Sequence, residues 1–215
     1  MTRGLFVTFE GIEGCGKTTQ LDRTAAWLEA RGRAVVKTQE PGGTALGIRL
    51  RDAVLHAKEI VEASAELLLF VADRRQHLVE VIEPALAAGT TVLCDRYTDS
   101  SRAYQGAGRG LGEALVDDLH RRFCPRVPDR TYLFDCPVEV ALARLARRSG
   151  AGIDKIEREE LSFHRRVRTS YRRRARSRPK IFRVLDATGS PDAVFARLAK
   201  DLEALVAARR AGKNG

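Results

Sequence analysis

The sequence predicts an α/β fold in which helices cover both faces of a doubly wound, five-stranded parallel sheet, three layers in all. Short apolar runs of strand length alternate with longer stretches of helical spacing along the chain. The runs at 5–9 and 90–94 are almost continuously apolar or β-branched, as strands covered on both faces are. Directly after the first run stands Gly11-Ile12-Glu13-Gly14-Cys15-Gly16-Lys17-Thr18, the pattern G-x-x-x-x-G-K-[ST], which requires a strand before it and a helix after it.

Each element follows in order. Residues 5–9 give the first strand, and Leu21, Ala25 and Leu28 place a helix over 19–31 that Gly32 stops. Ala34-Val35-Val36 begins a second strand that ends at the turn Glu40-Pro41-Gly42-Gly43, and helical spacing resumes over 44–56. Apolar periodicity through Leu67, Phe70, Val71, Leu78 and Ile82 predicts a long helix over 63–88, kinked or broken near Pro84. The strand at 90–94 ends at Asp95, and helices are expected around Ser101 and over 112–123. A strand at 131–134 and a helix over 138–148 come next, followed by Ser149-Gly150-Ala151-Gly152, which reads as a short mobile lid. A basic helix is expected over about 156–176 and a fifth strand over 181–185, and Ser190-Pro191 opens the last helix with an N-cap and a proline at its first position. The expectation is one domain over 1–215, of the P-loop NTPase type, with a lid at about 147–156 and no internal repeat.

Lys plus Arg exceed Asp plus Glu by 38 to 28, a net charge of +10 that would suit nucleic acid, an anionic membrane or a densely charged small substrate. Much of the excess lies at 165–180, which reads either as the solvated face of a helix or as a funnel for phosphates. Cys15, Cys94, Cys124 and Cys136 show no C-x-x-C spacing and no secretory leader precedes them, so a reducing cytoplasm is expected. Cys15 is the thiol with a reason to be reactive, because a helix N-terminus lowers thiol pKa; its alternative is a small filler in the loop. His56, His77, His120 and His164 form no ligand pair at helical spacing, and no apolar stretch reaches membrane-spanning length.

The loop itself speaks for phosphate. Its glycines fold the backbone into a nest of N–H donors, the following helix N-terminus adds partial positive charge, and Lys17 supplies a mobile full charge. A guanine-reading switch protein is excluded, since it needs an Asn-Lys-x-Asp box and the one asparagine here is Asn214. Asp95 at a strand terminus, able to reach Mg²⁺ or its waters, is followed at once by Arg96, and that pairing is what phosphoryl transfer asks for. Thr18 of the loop joins Asp95 as the expected Mg²⁺ contact, direct or through water. Arg147 and Arg148, just before the glycine-containing break, are candidates to swing over the phosphates; the alternative for each is a helix-end charge.

Glu10-Gly11 through Thr19, Glu40-Pro41-Gly42-Gly43-Thr44, Phe70-x-x-x-Arg74, Asp95-Arg96-Tyr97, Ser100-Ser101-x-Ala103-Tyr104-Gln105-Gly106 and the lid ending in Asp154-x-Ile156-Glu157 resemble bacterial thymidylate kinases, in the right order over nearly the whole chain. The resemblance implies transfer of a phosphoryl group from ATP to dTMP, with Mg²⁺, in a homodimer that needs neither nucleic acid nor membrane. It implies that Gly11, Ile12, Glu13, Gly14, Cys15, Gly16, Lys17, Thr18 and Thr19 bind ATP.

On the acceptor side it implies Phe70 stacked on the base, Arg74 donating to O4, Ser101 and Gln105 on the N3–H and O2 edge, and Tyr104 excluding a ribose 2′-hydroxyl. Glu13 resembles the carboxylate that accepts from the sugar 3′-hydroxyl, Arg51 with Arg96 matches the contact to the acceptor's phosphate, and Glu40 and Pro41 belong to the same pocket. The loop's filler positions carry no basic residue, which resembles the subgroup whose catalytic arginine comes from the lid. Gln39 departs from the arginine many members carry before Glu-Pro-Gly-Gly. The rival readings are a kinase of another nucleoside monophosphate and a P-loop ATPase that binds nucleic acid through 165–180.

Overall fold

The computed structural model describes residues 3–56, 61–147, 156–157 and 159–211. β1 (Phe6–Glu10) leads through the glycine loop into α1 (Lys17–Glu29), and β2 (Val35–Gln39) follows. α2 (Ala45–Leu55) starts at Thr44, whose hydroxyl accepts from the Gly47 amide at 2.9 Å.

The long apolar periodicity becomes α3 (Ala63–His77), a wide π turn at Leu78–Ile82, and α4 (Glu83–Ala87). The helix is thus re-wound rather than broken. Proline has no N–H for the carbonyl four residues back and its ring crowds that carbonyl, and the wider turn just before Pro84 accommodates both.

β3 (Thr91–Asp95) passes to the single turn α5 (Thr98–Ser101), which continues as a second π segment at Arg102–Gly108. Then come α6 (Glu113–Phe123), β4 (Arg130–Asp135), α7 (Val138–Ala146), α8 (Leu161–Ser177), β5 (Phe182–Asp186) and α9 (Pro191–Ala211). Two expected boundaries move. α7 stops at Ala146 with Arg147 as its C-cap; Arg148 and the glycine break lie outside the described residues. α8 begins at Leu161 instead of 156, because Ile156 and Glu157 form a turn and Glu160 is extended, with ψ 154°.

The five strands are all parallel, in the order β2-β3-β1-β4-β5. β1 is the central strand and is buried throughout, with Thr8 level with Cys94 on one side and with Thr131 on the other. The side chains of β1 alternate between two cores. Leu5, Val7 and Phe9 join Leu21 and Leu28 of α1 and Leu198 and Leu202 of α9, whereas Phe6 packs with Leu67 and Val71 of α3 and with Leu86. The connection after β1 runs to one side of it and the connection after β3 to the other. A crevice therefore opens beyond the carboxyl ends of β1 and β3, the place where such sheets hold ligands.

Candidate active site

The glycine loop sits at that crevice. Gly16 adopts φ 91° and Gly14 φ 73°, both in the left-handed region. A β-carbon on Gly14 would lie 2.1 Å from the Ala141 carbonyl oxygen, and one on Gly16 would meet nothing within 4 Å. The first glycine is needed for close packing against α7; the second leaves open space facing the cleft. Lys17 Nζ is held by the carbonyls of Gly11 and Ile12, each at 3.0 Å. Gly11, Ile12 and Cys15 are buried beneath the loop. Burial pushes the Cys15 thiol up, outweighing Lys17 and Arg96, so the helix terminus does not make it a reactive thiolate and its place is that of a filler.

Thr18 Oγ1 donates to Asp95 Oδ2 at 2.9 Å, and Asp95 Oδ1 is buried without a hydrogen-bond partner among the described residues. A hydroxyl and a carboxylate with a free buried lone pair, side by side at the phosphate loop, form a donor set that suits a hard cation such as Mg²⁺.

Arg96 has φ 71°, a conformation that costs a non-glycine residue energy unless its surroundings enforce it. They do. Its Nη1 donates to the Gly11 carbonyl at 3.2 Å and the Ser100 hydroxyl at 3.3 Å, and its Nη2 to Glu13 Oε1 at 2.7 Å. Tyr104, its ring 4.9 Å from the Arg96 guanidinium carbon, donates its hydroxyl to Glu13 at 2.8 Å. Burial works to raise the Glu13 pKa, but Arg96, Lys17 and the Tyr104 hydroxyl together hold it below its ordinary value.

The cleft beside the loop has a volume of about 680 Å³. Every acceptor-side residue expected from the sequence lines it, as do Lys17, Asp95 and Arg147. Phe70 and Arg74 lie one turn apart on α3, and both are buried. Arg74 is less available than the sequence suggests. Its Nε donates to Glu40 Oε2 at 2.5 Å, its Nη1 to Ser101 Oγ at 3.0 Å and His120 Nε2 at 2.8 Å, and its Nη2 to the Tyr97 carbonyl at 3.1 Å. Four of the five guanidinium N–H groups are thereby used, leaving one on Nη2 for a ligand. Burial, with Arg74 and Arg174 nearby, drives the His120 pKa down to about 2, so its ring is neutral and accepts.

Gln105 gives its amide nitrogen to Glu66 at 2.8 Å, which leaves its carbonyl oxygen as an acceptor for an N–H. Arg51 donates to the Pro41 carbonyl at 2.9 Å, which ties α2 to the turn after β2.

Such a cradle and cleft on a sheet of this order have known counterparts. The family model described as thymidylate kinase matches residues 9–198. The chain belongs to the thymidylate kinase family. The thymidylate kinase of Solidesulfovibrio magneticus is 49% identical over 197 residues, covering 88% of this chain and 94% of that one. That of Thermomicrobium roseum is 50% identical over 190 residues, covering 88% and 90%. A crystal structure of thymidylate kinase from Ehrlichia chaffeensis superposes with a TM-score of 0.76 at 32% identity, covering 93% of this chain and 99% of that one.

In this member of the family, several residues that shape the site were given no role by the sequence. Glu10 at the end of β1 is fully buried and accepts from the Tyr97 amide at 2.8 Å, the Ser100 hydroxyl at 2.6 Å and the Tyr171 hydroxyl at 2.7 Å. Burial, with Asp99 close by, raises its pKa to about 7. Tyr171 lies within the basic stretch, where the arginines on either side of it hide its part in the core. Arg144 lines the cleft and donates to the Ala187 and Thr188 carbonyls at 2.7 and 2.9 Å, which holds α7 to the chain leaving β5.

The basic stretch is a solvated helix face and not a funnel: Arg165, Arg166, Arg172, Arg173 and Arg176 are exposed, and no residue of 165–180 lines the cleft. Arg165 pairs with Glu139 at 2.7 Å, Arg168 with both oxygens of Asp135 at 2.7 and 3.1 Å, Arg173 with Glu113 at 2.5 Å and Arg174 with Asp99 at 2.8 Å. Those guanidinium groups fasten α8 to the body of the protein.

Proposed function

We propose that this chain transfers the γ-phosphoryl group of ATP to dTMP, giving ADP and dTDP, within a single domain. The observation that carries the reading is one cleft in which the glycine loop and Lys17 face the residues expected to hold a pyrimidine monophosphate. Two anionic substrates must be brought end to end against their repulsion, and the transition state spreads negative charge over the transferred group. Loop amides and Lys17 stabilise that charge on the donor side, while Arg96 and Arg51 hold the acceptor's phosphate. The acceptor oxygen is already ionised near neutral pH, so no general base is needed. Arg147 or Arg148, leading into the lid expected at about 147–156, adds a further cation over the phosphates.

On the base, the remaining Arg74 N–H meets O4, the Gln105 carbonyl takes N3–H, Ser101 lies on the same edge and Phe70 stacks. A donor at O4 favours thymine and uracil and clashes with the amino group of cytosine. Tyr104 blocks a ribose hydroxyl, and Glu13 accepts from the sugar. Thr18 and Asp95 would hold Mg²⁺, which supplies neutralisation of the phosphate oxygens.

The functional unit is a homodimer. The support is apolar: Leu68 on α3, Ile48 on α2 and Leu115 on α6 are 56%, 55% and 47% exposed on helices that pack together. Equilibrium sedimentation tests this, and a monomer at micromolar concentration refutes it. We place the enzyme in the cytoplasm, where its four free, buried cysteines remain reduced. Among the described residues no helix is long and apolar enough to cross a membrane.

A turnover panel with ATP, Mg²⁺ and dTMP, dUMP, dCMP or dGMP tests the function. ADP should form fastest with dTMP, and measurably with dUMP, since one methyl group is worth about 1–3 kcal/mol. Preference for dCMP or dGMP would overturn the pocket assignment. A nucleic-acid ATPase would instead show DNA-stimulated hydrolysis with a steep salt dependence.

A further inference from the structure

His164 stands three residues into α8 with its ring fully buried, and neither ring nitrogen has a hydrogen-bond partner among the described residues. Buried polar atoms are almost always paired, so an imidazole with both nitrogens unsatisfied is a departure that calls for a physical reason. Its surroundings are apolar on one side, where the Phe163 ring packs against it edge-on at 5.5 Å. On the other side its Nδ1 lies 3.8 Å from Glu13 Oε2, the carboxylate of the phosphate loop.

α8 cannot drift far at this point. Tyr171, two turns further along the same helix, donates to Glu10 Oε2 at 2.7 Å, and Val167 between them is wholly buried. A shift of about 1 Å would bring Nδ1 within hydrogen-bond reach of Glu13, and contacts of this kind are often long in the free enzyme and tighten on binding.

The present partners of Glu13 explain when that would happen. Arg96 holds Oε1 at 2.7 Å and Tyr104 holds the carboxylate at 2.8 Å. In the reading given above, Arg96 must also serve the acceptor's phosphate. A guanidinium drawn toward a phosphate loosens its grip on Glu13, which then needs another donor if it is to keep its aim on the sugar.

We propose that His164 is a positioning residue for Glu13, its Nδ1–H donating to the carboxylate when Arg96 engages the acceptor's phosphate. This rests on the dTMP kinase reading. The imidazole, without a partner among the described residues of the free protein, becomes a satisfied one in the complex, which adds acceptor affinity at the cost of resting stability.

The test compares the full-length wild-type protein with His164→Phe and His164→Asn. Phe fills the same apolar space without nitrogens; Asn places an N–H close to the position of Nδ1. Calorimetric Kd values are measured for dTMP and for 3′-deoxythymidine monophosphate, together with KM for ATP and the Tm of each protein. For His164→Phe we expect about a tenfold weaker Kd for dTMP, an ATP KM within twofold of wild type and a Tm equal to or above it. Asn should restore dTMP binding to within about threefold. The acceptor lacking the 3′-hydroxyl should bind wild type and His164→Phe alike, because the group that Glu13 would receive is gone.

Equal losses for the two acceptors, a matching loss for ATP with a lowered Tm, or failure of Asn to restore binding would each make His164 a packing residue and overturn the proposal. So would unchanged dTMP binding by His164→Phe beside an active wild type, and that result leaves the kinase reading standing. A wild-type protein that makes no ADP from ATP and dTMP overturns the kinase reading and this inference with it.

Discussion

Replacing Glu10 by Gln probes the buried support behind Arg96. The Glu10 carboxyl is raised from an ordinary 4.5 to about 7, chiefly by burial and then by Asp99. The folded state therefore holds a proton that the unfolded chain has released, and stability falls as pH rises between the two values. The contribution is fully present below 4.5 and lost above about 7. That rise, at 1.36 kcal/mol per pH unit, amounts to roughly 3 kcal/mol, of which about 2.5 kcal/mol falls between pH 5 and pH 8.

Gln keeps the shape and cannot ionise. Its oxygen can accept from the Tyr97 amide, and the Ser100 and Tyr171 hydroxyls can turn to accept from its NH₂. Urea unfolding of both proteins from pH 5 to pH 8 reads the effect. Asp73, raised to about 6 by burial and by Glu40, tilts both curves in the same direction, so the informative quantity is the difference between them. We expect the two proteins to differ at pH 8 by about 2.5 kcal/mol more in favour of Gln than at pH 5. Parallel curves would show that the carboxylate is well compensated when ionised, and would refute the argument from burial.

Arg74→Ala should destabilise the protein by roughly 3–5 kcal/mol, because it strips a buried Glu40 of its cation; a Tm within two degrees of wild type would contradict this. Gly14→Ala should fold poorly, since its methyl would press on the Ala141 carbonyl. Gly16→Ala, with free space around it, should cost about 1–2 kcal/mol of stability and yet raise the KM for ATP, which melting curves and steady-state kinetics separate. Lys17→Ala should lower kcat at least about a hundredfold, near 3 kcal/mol, with little change in Tm, and near-normal turnover would remove it from the phosphates.

Many of the residues that line the cleft were readable from the sequence. The glycine loop, Asp95-Arg96 and the α3 pair Phe70 and Arg74 lie within single elements or at their ends, where spacing along the chain fixes spacing in space. The π segments were not readable, because a turn widened by less than one residue hardly changes an apolar pattern; the first left a trace in Pro84. The state of Arg74 was hidden as well. Its partners Glu40, Tyr97, Ser101 and His120 come from three different parts of the chain, and together they reduce a free-looking guanidinium to one available N–H.

The run 165–180 teaches the same lesson for charge. As a string it is a block of arginines; in the fold, Glu139, Asp135, Glu113 and Asp99 from other segments answer four of them. Tyr171 and His164, in the same helix, reach Glu10 and the neighbourhood of Glu13 across more than 150 positions of sequence.

Strand, loop and helix order, the sheet class and the phosphate cradle were set by local backbone preference and hydrophobic period, and these are properties of neighbouring residues. Which guanidinium N–H groups are already used, which carboxyls hold a proton and which imidazole lacks a partner among the described residues were decided by the tertiary structure. Hydrogen bonding and desolvation act over a few ångströms of space regardless of separation along the chain, and only the packed sheet and helices bring those groups within range of one another.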